Sequence, residues 1–103
     1  MERRRVDEQR RRERIAAAFM TEVFVSLGLS GRFMSRNVSA EGMFLETGST
    51  FLAYGDEIEL NVVVFGDKYP MRGRVVRHGS GGVGIKLSHV NSLYYRALTS
   101  MVG

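Results

Sequence analysis

Apolar and polar residues alternate with a period of two along most of this chain. Phe19, Thr21, Val23 and Val25 fall on one face of an extended segment, and Met20, Glu22, Phe24 and Ser26 fall on the other. That alternation is strand periodicity. Gly28 and Gly31 then predict a turn. A second strand is expected over residues 32–39, with Phe33, Ser35, Asn37 and Ser39 on one face, and a short third over 43–47 after a turn at Gly42. Gly48, Ser49, Gly55 and Asp56 bracket a loop. The clearest strand is 57–65, where Ile58, Leu60, Val62 and Val64 oppose Glu57, Glu59 and Asn61. Gly66-Asp67-Lys68 reads as a hairpin turn into a strand over 69–78, with Pro70 suited to its start or an edge. Residues 79–82 turn again, and Val83, Ile85 and Leu87 share one face of a last strand. The period then changes to that of a helix over about 91–102, with Leu93, Tyr94, Ala97, Leu98 and Met101 on one stripe. Asn91 or Ser92 is placed to cap it.

Six short strands joined by tight turns predict a mainly β fold, a small antiparallel barrel. The C-terminal helix is expected to cover one opening or edge, or to dock a partner. Residues 1–18 read as a basic N-terminal arm and 19–103 as the barrel with its helix. At 103 residues there is room for one domain. The 44% of hydrophobic residues support one thin core and leave little volume for a deep catalytic cleft.

Charge sharpens this picture. Seven arginines and four acidic residues lie in 1–14, so most of the net charge of +4 sits in the arm. The arm has no apolar stripe to bury, and an isolated helix of that length is marginal in water. Thirteen of the fifteen basic residues are arginine, whose planar fork grips phosphate in pairs and stacks on flat rings. An anionic partner carrying bases fits this arm, although a solvated arm that aids solubility has the same composition. There is no cysteine, which removes disulfides and thiolate chemistry and suits a reducing, cytoplasmic setting. The longest apolar run, residues 15–20, is far short of the roughly 18 needed to span a membrane. The charged N-terminus has no apolar stretch behind it, so no secretory signal is expected.

Two features carry candidate chemistry. In Arg10-Arg11-Arg12-Glu13-Arg14, Arg10 and Arg14 form an Arg-x-x-x-Arg pair, and in Asn37-Val38-Ser39-Ala40-Glu41-Gly42, a polar pair precedes a glycine. On a strand Asn37 and Ser39 would share a face, and Gly42 would permit a tight turn or a close approach to a ligand. Asn and Ser are equally turn residues. Together, and in this order, the two motifs resemble the PilZ domain family, whose signature is Arg-x-x-x-Arg followed by Asp/Asn-x-Ser-x-x-Gly. The segments NVSAEGMFLET, RGRVVR and GVGIKL continue the likeness over roughly residues 10–88. The resemblance is to a stand-alone, single-domain member. It implies a PilZ-like split barrel that binds cyclic di-GMP through Arg10, Arg14, Asn37, Ser39 and Gly42. It also implies an arm that orders over the ligand and a signal passed to a protein partner that no residue names. Arg11, Arg36, Arg74 and Arg77 are secondary candidates. Arginine suits this ligand because it can bond phosphate oxygens doubly, fork onto guanine O6 and N7, or stack on the ring.

Other readings are weaker. Gly79-Ser80-Gly81-Gly82-Val83-Gly84 matches Gly-x-Gly-x-x-Gly, but no helix follows it and no βαβ unit surrounds it. Lys86 does not follow Gly84 directly, so no Walker loop forms. His78 and His89 are the only histidines, too few for a zinc site without cysteine. No catalytic motif is present, and neither an enzymatic activity nor a cofactor nor a metal is expected. Two alternatives remain. One is a PilZ-like protein-interaction module without ligand binding. The other is a small barrel binding single-stranded nucleic acid through a basic groove with aromatic platforms. Nucleic acid is disfavoured because the excess charge lies in the arm rather than on the barrel.

Overall fold

The computed structural model describes residues 15, 17–25, 28–48 and 52–102. Its elements are β1 (Phe19–Val25), β2 (Gly28–Arg36), β3 (Gly42–Glu46), β4 (Glu57–Val64), β5 (Asp67–Gly79), β6 (Gly82–Leu87) and one helix, α1 (Ser92–Val102). The strands close into an antiparallel barrel in the order β1-β2-β3-β6-β5-β4. Strand alternation sets the core. Phe19 and Val23 of β1, Ile58, Leu60, Val62 and Val64 of β4, Met71 and Val75 of β5, and Val83, Ile85 and Leu87 of β6 all point inward and are buried. Two inward polar residues are satisfied at one acceptor, since the hydroxyls of Thr21 and Ser35 donate to the Phe19 carbonyl at 3.3 and 3.1 Å. Buried polar groups of this kind cost little once bonded.

The helix completes the core. The Asn91 side chain caps it by accepting the Tyr94 N–H at 3.0 Å, and its amide donates to the Pro70 carbonyl at 3.3 Å. Tyr94 and Leu98 are buried in the main cluster, and Tyr94 meets Tyr69 with ring centroids 5.9 Å apart. Leu93, expected on the buried stripe, is exposed instead. It sits about 100° round the helix from Tyr94, and the inward stripe is centred on Tyr94 and Leu98.

The turns differ from expectation in three places. The glycines at 28 and 31 lie inside β2 rather than in a turn, and Gly31 lies under the Phe33 ring, where an added Cβ would come within 2.6 Å of it. At the β4–β5 hairpin the turn is Phe65–Gly66, and Asp67 and Lys68 already belong to β5. Phe65 has a left-handed φ of 50°. β2 stops at Arg36 instead of running to Ser39, because Asn37 has φ 51° and leaves the extended region. Pro70 is tolerated inside β5 because pairing with β6 begins only at Gly73, so its missing N–H faces no partner strand.

Candidate ligand-binding face

The segment after β2 is a compact turn built by Ser39. Ser39 is only 2% exposed. Its Oγ accepts the N–H groups of Glu41 and Gly42, each at 3.2 Å, and its own N–H bonds the Gly42 carbonyl at 2.9 Å. Asn37, in contrast, is exposed. The two residues therefore do not share a face as a continuous strand would require. The left-handed step at Asn37, a conformation Asn tolerates better than most residues, breaks the alternation between them. Gly42 opens β3 and is not among the positive-φ glycines. The unusual backbone of this motif is thus at Asn37, and Ser39 shapes the turn that presents it.

Val38, between the two, pairs with Ile15 in an isolated antiparallel bridge. Ile15 N–H bonds the Val38 carbonyl at 2.7 Å, and Val38 N–H bonds the Ile15 carbonyl at 3.2 Å. The chain thus enters the barrel beside the Asn37 turn. Arg10, Arg11 and Arg14 lie outside the described residues; Arg14 is the covalent neighbour of Ile15.

Strand register assembles a second group on the outer surface. Arg36 of β2 pairs with Phe44 of β3, Phe44 with Gly84 of β6, and Gly84 with Arg77 of β5. The Arg36 guanidinium carbon stands 4.6 Å from the Phe44 ring centroid and that of Arg77 stands at 6.0 Å, both within cation–π range. Phe44 faces outward yet is only 6% exposed, because the two guanidinium groups lie by it and glycines lie beneath. A Cβ on Gly79 or Gly82 would come within 3.0 or 2.9 Å of the ring, and one on Gly84 within 2.7 Å of the Arg77 side chain. Arg36 also meets Glu46, Nε to Oε1 at 3.4 Å. In the next row Gly42 pairs with Lys86 and Lys86 with Arg74, whose Nη2 is 3.2 Å from Glu57 Oε1.

Alternation along β5 would send Arg77 inward with Met71 and Val75. A bulge between Val75 and Arg77 slips the register and turns Arg77 out, as bulges commonly do beside functional surfaces. The candidates Arg36 and Arg77 thus share one platform, Arg36 with an ion pair to Glu46 as well, while Arg74 pairs with Glu57. Phe44, Gly84 and Lys86 were not among the site candidates that the sequence offered. An arginine two places from an inward valine carries no sign of a bulge, and an outward phenylalanine reads as core.

Two cavities open elsewhere. One of about 550 Å³ is lined by Phe24, Leu60, Met71, His89 and neighbours, and one of about 860 Å³ by Tyr54, Glu57, Arg72, Arg74, Lys86 and others. Neither includes Asn37, Ser39 or Phe44. The candidate face carries an aromatic ring between two guanidinium groups, one of which, Arg36, also meets Glu46. Such a face suits a ligand with phosphates and flat bases. Among the described residues no three His, Asp or Glu side chains converge as a metal site.

The chain is thus a small closed barrel that gathers arginines on one outer face, beside the point where Ile15 meets the Val38 turn. A family model for the PilZ domain matches residues 8–102, and the chain belongs to the PilZ family. That family is known for cyclic di-GMP receptors and consists of binding domains rather than enzymes. Among solved structures, the chain is similar to the crystal structure of the PilZ domain of CeSA from a cellulose-synthesizing bacterium. The TM-score is 0.64 at 20% identity, over 86% of this chain and 93% of that one. At that identity the likeness speaks for the fold, and it agrees with the barrel expected from sequence. No curated protein matches the chain.

Proposed function

We propose that this chain is a bacterial, cytoplasmic cyclic di-GMP receptor that needs no cofactor and relays the ligand's presence to a protein partner. The observation that carries the reading is the Ile15–Val38 bridge. It fastens the end of the arginine-rich arm to the residue between Asn37 and Ser39, so the two halves of the motif start from one point. Arg10 and Arg14, with Arg11 beside them, supply charge-assisted bonds to the two phosphates. Asn37 offers its carboxamide to a guanine edge. Arg36 and Arg77 offer stacking or guanidinium edges from the Phe44 platform, and Arg74, paired with Glu57 in the next row, is a peripheral contact. Ser39 acts through the turn it holds, and Gly42 leaves room beside Lys86.

Titration calorimetry tests the reading. Cyclic di-GMP should bind in the micromolar range or tighter, and GMP far more weakly. Arg10→Ala and Arg14→Ala should each cost about 1.5–3 kcal/mol of binding, while Arg5→Ala costs much less. Trypsin cleavage within residues 1–14 should slow when ligand is added. Absence of binding heat and of a thermal shift at high ligand concentration overturns the receptor reading. Equal losses for Arg5→Ala and Arg14→Ala would instead reduce the arm to bulk charge.

A further inference from the structure

Gly84 stands in the outward set of β6, between Gly82 and the exposed Lys86, yet it is buried. A side chain from the next strand covers it. A Cβ placed on Gly84 would come within 2.7 Å of both Cγ and Nε of Arg77 and within 3.2 Å of its Cδ. Those atoms are consecutive, so the stem of Arg77 lies flat across β6 at this residue. Strand register explains the posture. Arg77 pairs with Gly84 and Gly84 with Phe44, so Arg77 and Phe44 are two strands apart, about 9–10 Å at ordinary strand spacing. Side chains on a strand stand roughly upright from the sheet, and an upright arginine would hold its guanidinium away from a ring two strands off. One that crosses a bare strand brings it near, and the guanidinium carbon of Arg77 stands 6.0 Å from the Phe44 centroid. Arg36 has no such need. It pairs with Phe44 directly and stands 4.6 Å from the centroid.

We infer that Gly84 is a positioning residue for ligand binding: lacking a Cβ, it leaves the channel across β6 in which Arg77 is seated on the Phe44 platform. The inference deepens the receptor reading and rests on it for the identity of the ligand, whereas the seat is a property of the free protein. The neighbouring glycines differ. On Gly82 a Cβ would run into the Leu45 carbonyl, a backbone obstacle that has no room to swing aside. On Gly79 it would meet the Phe44 ring at 3.0 Å. At Gly84 the obstacle is one flexible side chain. Gly84 is also not among the positive-φ glycines, so alanine suits the strand there. The effect of alanine is then to lift Arg77 off the platform. Arg77 is exposed and has no carboxylate partner among the described residues. Once lifted it has no second anchor on this face, and its rotamers spread into water. Binding a ligand must then order that side chain afresh, which lowers affinity.

The experiment compares the full-length parent with Gly84→Ala, Arg77→Ala and the double variant. In the ligand-free parent, nuclear Overhauser contacts should run from the γ and δ hydrogens of Arg77 to the α hydrogens of Gly84 and on to the Phe44 ring. Gly84→Ala should remove the contacts between Arg77 and the ring and keep those of Arg36. In calorimetry Gly84→Ala should weaken cyclic di-GMP by about tenfold or more, up to the loss in Arg77→Ala. Added to Arg77→Ala it should cost less than about twofold further, because both substitutions act through one side chain. Contacts between Arg77 and the ring that survive in Gly84→Ala overturn the inference. So does parental affinity in that variant, or losses that add in the double one. A lowered melting temperature with contacts and affinity intact overturns it too, since Gly84 would then serve packing alone. A parent that does not bind cyclic di-GMP overturns the receptor reading and the binding role together, while the free-state contacts still decide the seat. Should Gly84→Ala fail to fold, the double variant lacks the obstacle and should fold again; one that also fails overturns the inference.

Discussion

β5 carries arginines into two different environments, and the contrast between them explains the surface. At its start Arg72 and Arg74 face Glu59 and Glu57 across β4, at 3.4 and 3.2 Å. All four side chains are exposed, and each charge is met by its opposite. Past the bulge, Arg77 meets no carboxylate among the described residues; it and Arg36 lie by the Phe44 ring, and Arg36 also meets Glu46. A guanidinium that faces a carboxylate has part of its charge and donors engaged there. A guanidinium held by a ring keeps its edge donors for something else. One strand therefore has an electrostatically quiet half and a receptive half, and the one-residue bulge marks the boundary.

The comparison breaks most visibly at Phe44. Phe44→Ala removes a ring that is almost wholly buried, and it should cost about 3–5 kcal/mol in chemical denaturation while weakening ligand binding as the two arginines lose their platform. A loss below about 1 kcal/mol would mean the ring is ornamental to the fold. Next in size is the contrast in binding. Arg77→Ala should weaken cyclic di-GMP by roughly ten- to 150-fold, whereas Arg74→Ala should change it less than about threefold. Equal effects in calorimetry would erase the distinction between the two halves.

A smaller effect appears in acid. The Glu22 carboxyl is held below the usual carboxylate range, chiefly by its bond to Lys68 and then by that to Asn61. Because its folded value lies below its unfolded one, its contribution is complete above the unfolded carboxyl's titration range. It fades as pH falls through the folded value. The stability difference between the parent and Glu22→Gln should therefore narrow steadily over that acidic window, as thermal denaturation across pH would register. Smallest of all is Glu57→Gln, which should change stability by no more than about 0.5 kcal/mol, and added salt should erase even that.

Much of this was open to reading from the chain. The alternation of Ile58, Leu60, Val62 and Val64 with Glu57, Glu59 and Asn61 is a local signal, and β4 begins at Glu57 as that pattern requires. The period change after Leu87 likewise marks the helix. What escaped depends on single backbone steps. Asn37 reads as another strand residue until its left-handed φ is known, and with it the shared face of Asn37 and Ser39 disappears. Val76 reads as an ordinary outward residue until the register slip shows it to be the extra one. Glycines were the other source of error. Gly28 and Gly31 look like a turn, but Gly31 is small because Phe33 lies over it. The motif glycines and arginines point to a family. Only register between strands distant in sequence places Arg36, Phe44 and Arg77 side by side.

The seam between β1 and β4 has a kinetic consequence. Thr21 and Val62 pair across some forty residues of intervening chain, whereas every other strand pairing except β3 with β6 joins consecutive strands. Distant pairings of this kind repay their loop-closure entropy late, so closing the barrel at this seam should come near the end of folding and its parting near the start of unfolding. Among the described residues, the side chains of Asn61 and Lys68 reach Glu22 across it. A bond that forms only once this seam has closed lengthens the lifetime of the closed barrel more than it alters the rate at which the barrel first forms.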